Sequence, residues 1–139
     1  MNHLIEIDGN LSLEDVVEVA RYDAKVVLSK DAVERITLSR QLVEKSIADG
    51  KVIYGINTGF GKFCNVAISD DQLDELQYRL ILSDCVGVGS NFATEIVRAI
   101  MLLRVNALTL GCSGIRLETV QTLVDMLNKG VHPLIREKG

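Results

Sequence analysis

Glu95-Ile96-Val97-Arg98-Ala99-Ile100-Met101-Leu102-Leu103-Arg104-Val105-Asn106-Ala107-Leu108-Thr109 decides the architecture of this chain. The run holds no proline or glycine, and Ile96, Val97, Ile100, Leu102, Leu103, Val105 and Leu108 fall on nearly every side of a helix. A surface helix carries one apolar stripe, so a helix apolar all round is buried, either inside a larger core or between subunits. The segment therefore predicts a central helix in a mainly α fold. A second helix is predicted from about Ile115 to Asn128, with Val120, Leu123, Val124 and Leu127 inward and Gly130 at its end. In a chain of 139 residues two such helices would cover each other incompletely. The expected organisation is one domain over 1–139, part of a larger, mostly helical body.

Working outward, a small β element is expected near the N-terminus. His3 to Ile7 alternates polar and apolar residues and reads as a strand, which Lys25 to Leu28 could join in an edge sheet. Between them, Ser12-x-x-Asp15 resembles a capping box and opens a helix through Val16, Val17 and Ala20. Ser29 caps a longer helix with Val33, Ile36, Val43 and Ile47 on one face, ending at Gly50. Val52-Ile53-Tyr54 is a short β-like run. Ser69-x-x-Gln72 is a further capping box, opening a helix with Leu73, Leu76 and Leu80 on one stripe.

Composition narrows the function classes. The net charge of -4, with fifteen Lys and Arg scattered rather than clustered, argues against nucleic acid as a partner. No apolar stretch approaches the roughly 18–20 residues that span a bilayer, and Asn2, His3 and Glu6 do not make a signal peptide. Cys64, Cys85 and Cys112 are an odd, widely spaced set, and His3 and His132 lie at opposite ends. A disulfide framework or a metal site is not expected, and a reducing cytoplasm is the simple reading. Cys85 and Cys112 read as small buried apolar residues.

The segment richest in chemistry is Tyr54-Gly55-Ile56-Asn57-Thr58-Gly59-Phe60-Gly61. Its glycines allow positive φ and close approach of a ligand to main-chain N–H groups. Both phosphate-loop spacings, G-x-x-x-x-G-K-[ST] and G-x-G-x-x-G, are absent. A glycine loop alone is ordinarily a turn, and a tyrosine beside it a half-buried structural residue.

As a whole, however, this octapeptide resembles the N-terminal signature of the aromatic amino acid ammonia-lyases, Y-G-[IV]-N-T-G-F-G. Further stretches match the same family in the same order. Leu76-Gln77 with Leu80-Ile81 matches L-Q-x-x-L-[IV], and Gly87-Val88-Gly89 matches the glycines that follow. Arg104-Val105-Asn106-Ala107-Leu108 matches R-x-N-x-L, and Gly111-Cys112-Ser113-Gly114-Ile115-Arg116 matches G-x-S-G-[IV]-R. Pro133-Leu134-Ile135 and Lys138-Gly139 match P-x-[IV]-P-x-K-G, with Arg136 in place of the second proline. These matches cover about Val52 to Gly139.

The resemblance, which is to the histidine-directed branch, implies elimination of ammonia from L-histidine to give urocanate by a cytoplasmic homotetramer. In that family the electrophile is a 4-methylidene-imidazol-5-one ring made from an Ala-Ser-Gly tripeptide a few residues beyond the K-G. No Ala-Ser-Gly occurs in this chain. Cys112-Ser113-Gly114 falls in the separate G-x-S-G turn and is rejected as the precursor. The chain is expected to be an N-terminal fragment or half of a split enzyme, inactive alone.

By resemblance, Tyr54 is the general base that removes the β-proton. Free tyrosine titrates near about 10, so N–H donors or a cation must stabilise its phenolate. Gly55, Asn57, Thr58, Gly59 and Phe60 form the lid loop, Gly61 touches substrate, and Gly59 and Gly61 let the loop fold over it. Ser83-Asp84 replaces the Ser-His pair of histidine- and tyrosine-directed relatives, which contacts the substrate side chain. Asp84 continues the stripe of Leu76 and Leu80 at a helix C-terminus, where a carboxylate is disfavoured by the macrodipole. It either accepts that position to meet a positive or hydrogen-bonding group of the ligand, or is a C-terminal residue turned to solvent. Arg104 and Asn106 are expected to meet polar partners at a subunit contact. Two alternatives stand beside the histidine reading: a tyrosine or phenylalanine ammonia-lyase or aminomutase, and a non-catalytic helical assembly domain.

Overall fold

The computed structural model describes residues 4–53, 55, 56, 58 and 70–138. It begins with strand β1 (Leu4–Ile7), helix α1 (Leu13–Tyr22) and strand β2 (Lys25–Leu28), a right-sized unit for two parallel strands joined by a helix. The strands pair in parallel, Ile5 opposite Val26 and Ile7 opposite Leu28. Their alternation buries Ile5, Ile7, Val26 and Leu28 on one face, as a period of two requires. The small N-terminal sheet expected from sequence is thus present.

Local chemistry sets the helix starts. The Ser12 Oγ accepts the Asp15 N–H at 3.1 Å while the Asp15 carboxylate accepts the Ser12 N–H at 3.0 Å, a complete capping box. Ser29, the N-cap of helix α2 (Lys30–Ala48), accepts the Ala32 N–H at 3.0 Å. On α2, Ile36 is buried and Val33, Val43 and Ile47 are half-buried, which is the face its periodicity indicated. Helix α3 (Asp70–Asp84) follows, with Leu76 and Leu80 half-buried; Ser69 lies outside the described residues, and with it the capping box expected there.

Helix α4 (Thr94–Leu108) is the centre of the fold, packed between α1 and helix α5 (Leu117–Lys129). Val97, Met101, Leu102, Val105 and Leu108 are buried against the β1–β2 face, Val19, Ile36, Val120, Val124 and Leu127. The outer face of α4 is not covered: Ile96, Ile100 and Leu103 are 42%, 42% and 50% exposed. The edge of the sheet is closed by a side chain. Asn128 accepts the Val26 N–H at 2.9 Å and donates to the Val26 carbonyl at 2.8 Å, supplying both ladder partners that a third strand would give.

Three sequence readings need correction. A second sheet exists, strand β3 (Val88–Asn91) antiparallel to strand β4 (Arg136–Lys138). All its residues are exposed, so there is no buried alternation by which to find it, and the partners lie some forty-five residues apart in sequence. Val52 and Ile53 form no strand; the chain turns directly after them, with the Ile56 N–H donating to the Ile53 carbonyl and Gly55 at φ +78°. Cys85 and Cys112 are exposed, not buried, because each lies in a connection after a helix rather than on a packed face.

Candidate functional site

Among the residues expected to form the site, Tyr54, Asn57, Gly59, Phe60 and Gly61 lie outside the described residues. Of the same loop, Gly55 and Ile56 form the turn just described, and the Thr58 side chain is 1% exposed, facing inward.

Ser83 and Asp84 close helix α3. The Ser83 hydroxyl donates to the Leu80 carbonyl at 2.8 Å, satisfying one of the orphan acceptors of the last turn, and lies 3.4 Å from an Asp84 carboxylate oxygen. Asp84 is exposed and rims an open depression of about 480 Å³, whose other walls include Gly87, Leu134, Arg136 and Lys138. The last turn of α3 has no basic residue to offset the carboxylate; the cations across the depression come from β4. Gly87 sets that geometry, since a Cβ there would lie 2.9 Å from the Arg136 side chain. Arg136, which departs from the family's proline, donates through Nη1 to the Gly89 carbonyl at 3.0 Å and ties β4 to β3.

The remaining motifs serve the scaffold. In the G-x-S-G turn between α4 and α5, Gly111 and Gly114 take φ +71° and +67°. A Cβ on Gly111 would stand 2.8 Å from the Arg35 backbone carbonyl oxygen, and one on Gly114 would stand 2.5 Å from Val43. The Gly114 N–H donates to Ser39 Oγ at 3.0 Å. This turn is where the connection crosses α2, and only glycine fits both its conformation and its space. Asn106 donates to the Gly9 carbonyl at 3.3 Å, while its Oδ1 is buried without a partner. Arg104 is exposed and makes no hydrogen bond or ion pair among the described residues. No group of His, Cys, Asp and Glu among the described residues could hold a metal ion.

Sequence reasoning missed Arg98. It lies on the inner face of α4 with its side chain 4% exposed. Nε and Nη2 donate to the Val19 carbonyl at 3.1 and 2.7 Å, and Nη1 donates to the Leu127 carbonyl at 3.1 Å. One guanidinium therefore caps the C-terminal turns of both α1 and α5. The fork geometry of arginine is what permits this. Its only sequence signal was a cation inside an otherwise apolar helix.

The family model for aromatic amino acid lyases matches residues 11–139, starting well before the first recognisable motif. "Histidine ammonia-lyase 2" of Fusobacterium nucleatum subsp. nucleatum is 56% identical over 140 residues, covering 100% of this chain and 27% of that protein. Among solved structures, histidine ammonia-lyase from Trypanosoma cruzi superposes with a TM-score of 0.90 at 40% identity, over 98% of this chain and 27% of that one. Tyrosine aminomutase from Streptomyces globisporus superposes with a TM-score of 0.90 at 33% identity, over 97% of this chain and 26% of that one. The chain spans about 27% of the length of the curated relatives it matches. With its helical core, its glycine turns and its ordered motifs all falling within the matched span, this chain belongs to the aromatic amino acid lyase family.

Proposed function

We propose that this chain is the N-terminal part of a histidine ammonia-lyase, a carbon–nitrogen lyase that eliminates ammonia from L-histidine to give urocanate. The observation that carries the reading is the 56% identity, over the whole chain, to a relative that bears that name. The chain's own contribution is the base and part of the pocket. Tyr54 takes the β-proton, and its phenolate draws stabilisation from N–H donors of the loop. The Ile56 N–H is not among them, since it already donates to Ile53. Asp84 faces the substrate side chain with Ser83 beside it. An exposed carboxylate at the rim of an open depression suits an imidazole N–H or a protonated amine better than a phenyl ring.

The electrophile is a different matter. A 4-methylidene-imidazol-5-one ring requires Ala-Ser-Gly, which these 139 residues do not contain. Cys112-Ser113-Gly114 is no substitute: a Cβ on Gly114 would stand 2.5 Å from Val43, and Ser113 Oγ accepts the Ile115 N–H at 3.4 Å, inside a structural turn. The residues present therefore do not fit the group. The 139-residue chain alone is inactive, and the full-length parent works as a cytoplasmic homotetramer.

The test is to supply the full-length parent with histidine and follow urocanate absorbance. Turnover of tyrosine or phenylalanine instead of histidine would move it to a sister activity; conversion of tyrosine to a β-amino acid would make it an aminomutase. In the same parent, Tyr54→Phe should abolish nearly all turnover, whereas a non-catalytic assembly domain would show no turnover to lose.

A further inference from the structure

Asp-Gly occurs twice in the chain, at Asp8-Gly9 and at Asp49-Gly50. In this dipeptide the backbone nitrogen can attack the preceding side-chain carboxyl, because glycine puts no Cβ beside the nitrogen. Sequence alone gives the two pairs the same chemistry, and the structure separates them. The Gly50 N–H is committed to the Ile47 carbonyl at 2.9 Å, in the C-terminal turn of α2. Asp49 has a ψ of 2°, which eclipses the Gly50 nitrogen with Asp49's own nitrogen and turns it away from Cβ. The Asp49 carboxylate also pairs with Lys51 at 3.7 Å.

At Asp8 the arrangement is the reverse. Gly9 lies past the end of β1, and its N–H makes no hydrogen bond among the described residues. Asp8 is exposed, and its Oδ1 accepts the Asn10 N–H at 2.8 Å. That bond closes a ring containing both Cγ and the Gly9 nitrogen, and folds the carboxyl back on the main chain. The Asp8 carbonyl accepts Arg35 Nη2 at 2.6 Å. This carbonyl and the Gly9 N–H belong to one peptide group, so a cation on its oxygen withdraws electrons and acidifies the N–H.

We propose that Asp8 is a site of spontaneous isoaspartate formation, and that the fold selects it over Asp49. The reacting form is the neutral carboxyl. The Gly9 nitrogen attacks Asp8 Cγ, the N–Cγ bond forms and the Cγ–OH bond breaks. The departing hydroxyl and the proton from the nitrogen leave as one water. A second water opens the five-membered imide. Opening at the backbone carbonyl of Asp8 routes the main chain through Cβ and Cγ and leaves a free α-carboxylate, with no change of mass. The added backbone atom falls in the link whose Gly9 carbonyl is held by Asn106 at 3.3 Å, and the carbonyl that Arg35 held is no longer an amide.

The 139-residue chain is incubated for weeks at neutral pH, folded or in guanidinium chloride. Tryptic peptides ending at Arg21 and Lys51 carry the two sites, and isoaspartate is measured in each by chromatography and electron-transfer fragmentation. The ratio of the Asp8 rate to the Asp49 rate should be near unity in the unfolded chain. Folding should raise it about 10-fold or more, as ~1.4 kcal/mol of added barrier at Asp49 would do. A ratio that folding leaves unchanged or lowers would overturn the proposal. Arg35→Met should slow Asp8 and leave Asp49 at its folded rate; an undiminished Asp8 rate would overturn the acidified N–H. A variant that fails to fold shows itself by an Asp49 rate at the unfolded level, and the two sites of the unsubstituted chain then decide alone.

Discussion

Replacing Arg98 by methionine removes one guanidinium and keeps most of its stem, so packing along α4 is nearly conserved and the loss falls on hydrogen bonds. The Val19 carbonyl is one of the last four of α1. The cap N–H of Asp23 and that of Ala24 both go to Glu18, so Val19 loses its donors when Arg98 goes. A buried acceptor left empty costs about 1–3 kcal/mol. The Leu127 carbonyl still accepts the Gly130 N–H at 3.2 Å, so its loss is the smaller one. Each helix end also loses a cation at the negative end of its dipole, worth about 0.3–1 kcal/mol. The gain from no longer dehydrating a guanidinium offsets part of this. The expected destabilisation is about 3 kcal/mol, a large share of a domain's usual ~5–15 kcal/mol.

Asp23 supplies the contrast. It pairs with Arg98 at 3.0 Å, but its side chain is 75% exposed. Exposed pairs contribute little, and asparagine tolerates the φ of +57° found there. Asp23→Asn should therefore cost under about 0.5 kcal/mol. Urea unfolding of the 139-residue chain, followed by helical circular dichroism, measures both variants. If Asp23→Asn cost as much as Arg98→Met, the ion pair rather than the two carbonyls would be holding the helix ends. If neither had an effect, the capping account would be wrong. Arg98→Lys should fall between, because an ammonium cannot span both acceptors in the fork geometry.

Gly114→Ala, with φ at +67° and its Cβ space taken by Val43, should cost about 2–4 kcal/mol of stability by the same unfolding assay, and Val43→Ala on that background should restore part of it. Gly130→Ala has a similar φ of +70° but open space, so it should cost only about 1 kcal/mol; equal costs at the two sites would remove the steric part of the argument. Asn128→Asp keeps the acceptor for Val26 and loses the donor, which should destabilise by roughly 1–3 kcal/mol, whereas Asn128→Gln, too long for the edge, should not rescue it. Urea unfolding reads both variants, and the Val26 amide, whose acceptor survives in Asn128→Asp but not in Asn128→Gln, should exchange faster relative to its neighbours only in the latter. Ser12→Ala should cost about 1 kcal/mol by removing the capping box of α1.

What could be read from the sequence of the fold was what local rules govern. Ser12 and Ser29 announce their helices because a hydroxyl one residue ahead of a helix binds an N–H within the first turn, a contact settled by residues three apart. Ile5, Ile7, Val26 and Leu28 announce their strands because one face is buried. The β3–β4 sheet obeys neither rule. Its strands are short, exposed on all residues and built from Val-Gly-Ser-Asn and Arg-Glu-Lys, and their pairing depends on how far α4 and α5 carry the chain before it returns. Arg98 was illegible for the same reason. Its value lies in two carbonyls, one seventy-nine residues back and one twenty-nine ahead, and no spacing within its own helix encodes either.

The candidate site divides along a different line. Tyr54 and its glycine loop were legible as a pattern, since three glycines around one tyrosine are uncommon and match a family motif in order. Asp84 was legible only as a departure from that motif, and its position adds a physical constraint. A carboxylate that ends α3 opposes the helix dipole, and no basic residue in the last turn relieves it. The compensating charges lie across the depression on β4, at Arg136 and Lys138, and Arg136 is itself the residue that breaks the family's proline pattern. The two departures thus face one depression. If they act together, restoring histidine at 84 alone would leave Arg136 and Lys138 with Glu137 as the one carboxylate lining the depression among the described residues. In the parent, Asp84→His combined with Arg136→Pro should then recover more histidine turnover than Asp84→His alone. Equal turnover by the two variants would show that the departures are independent.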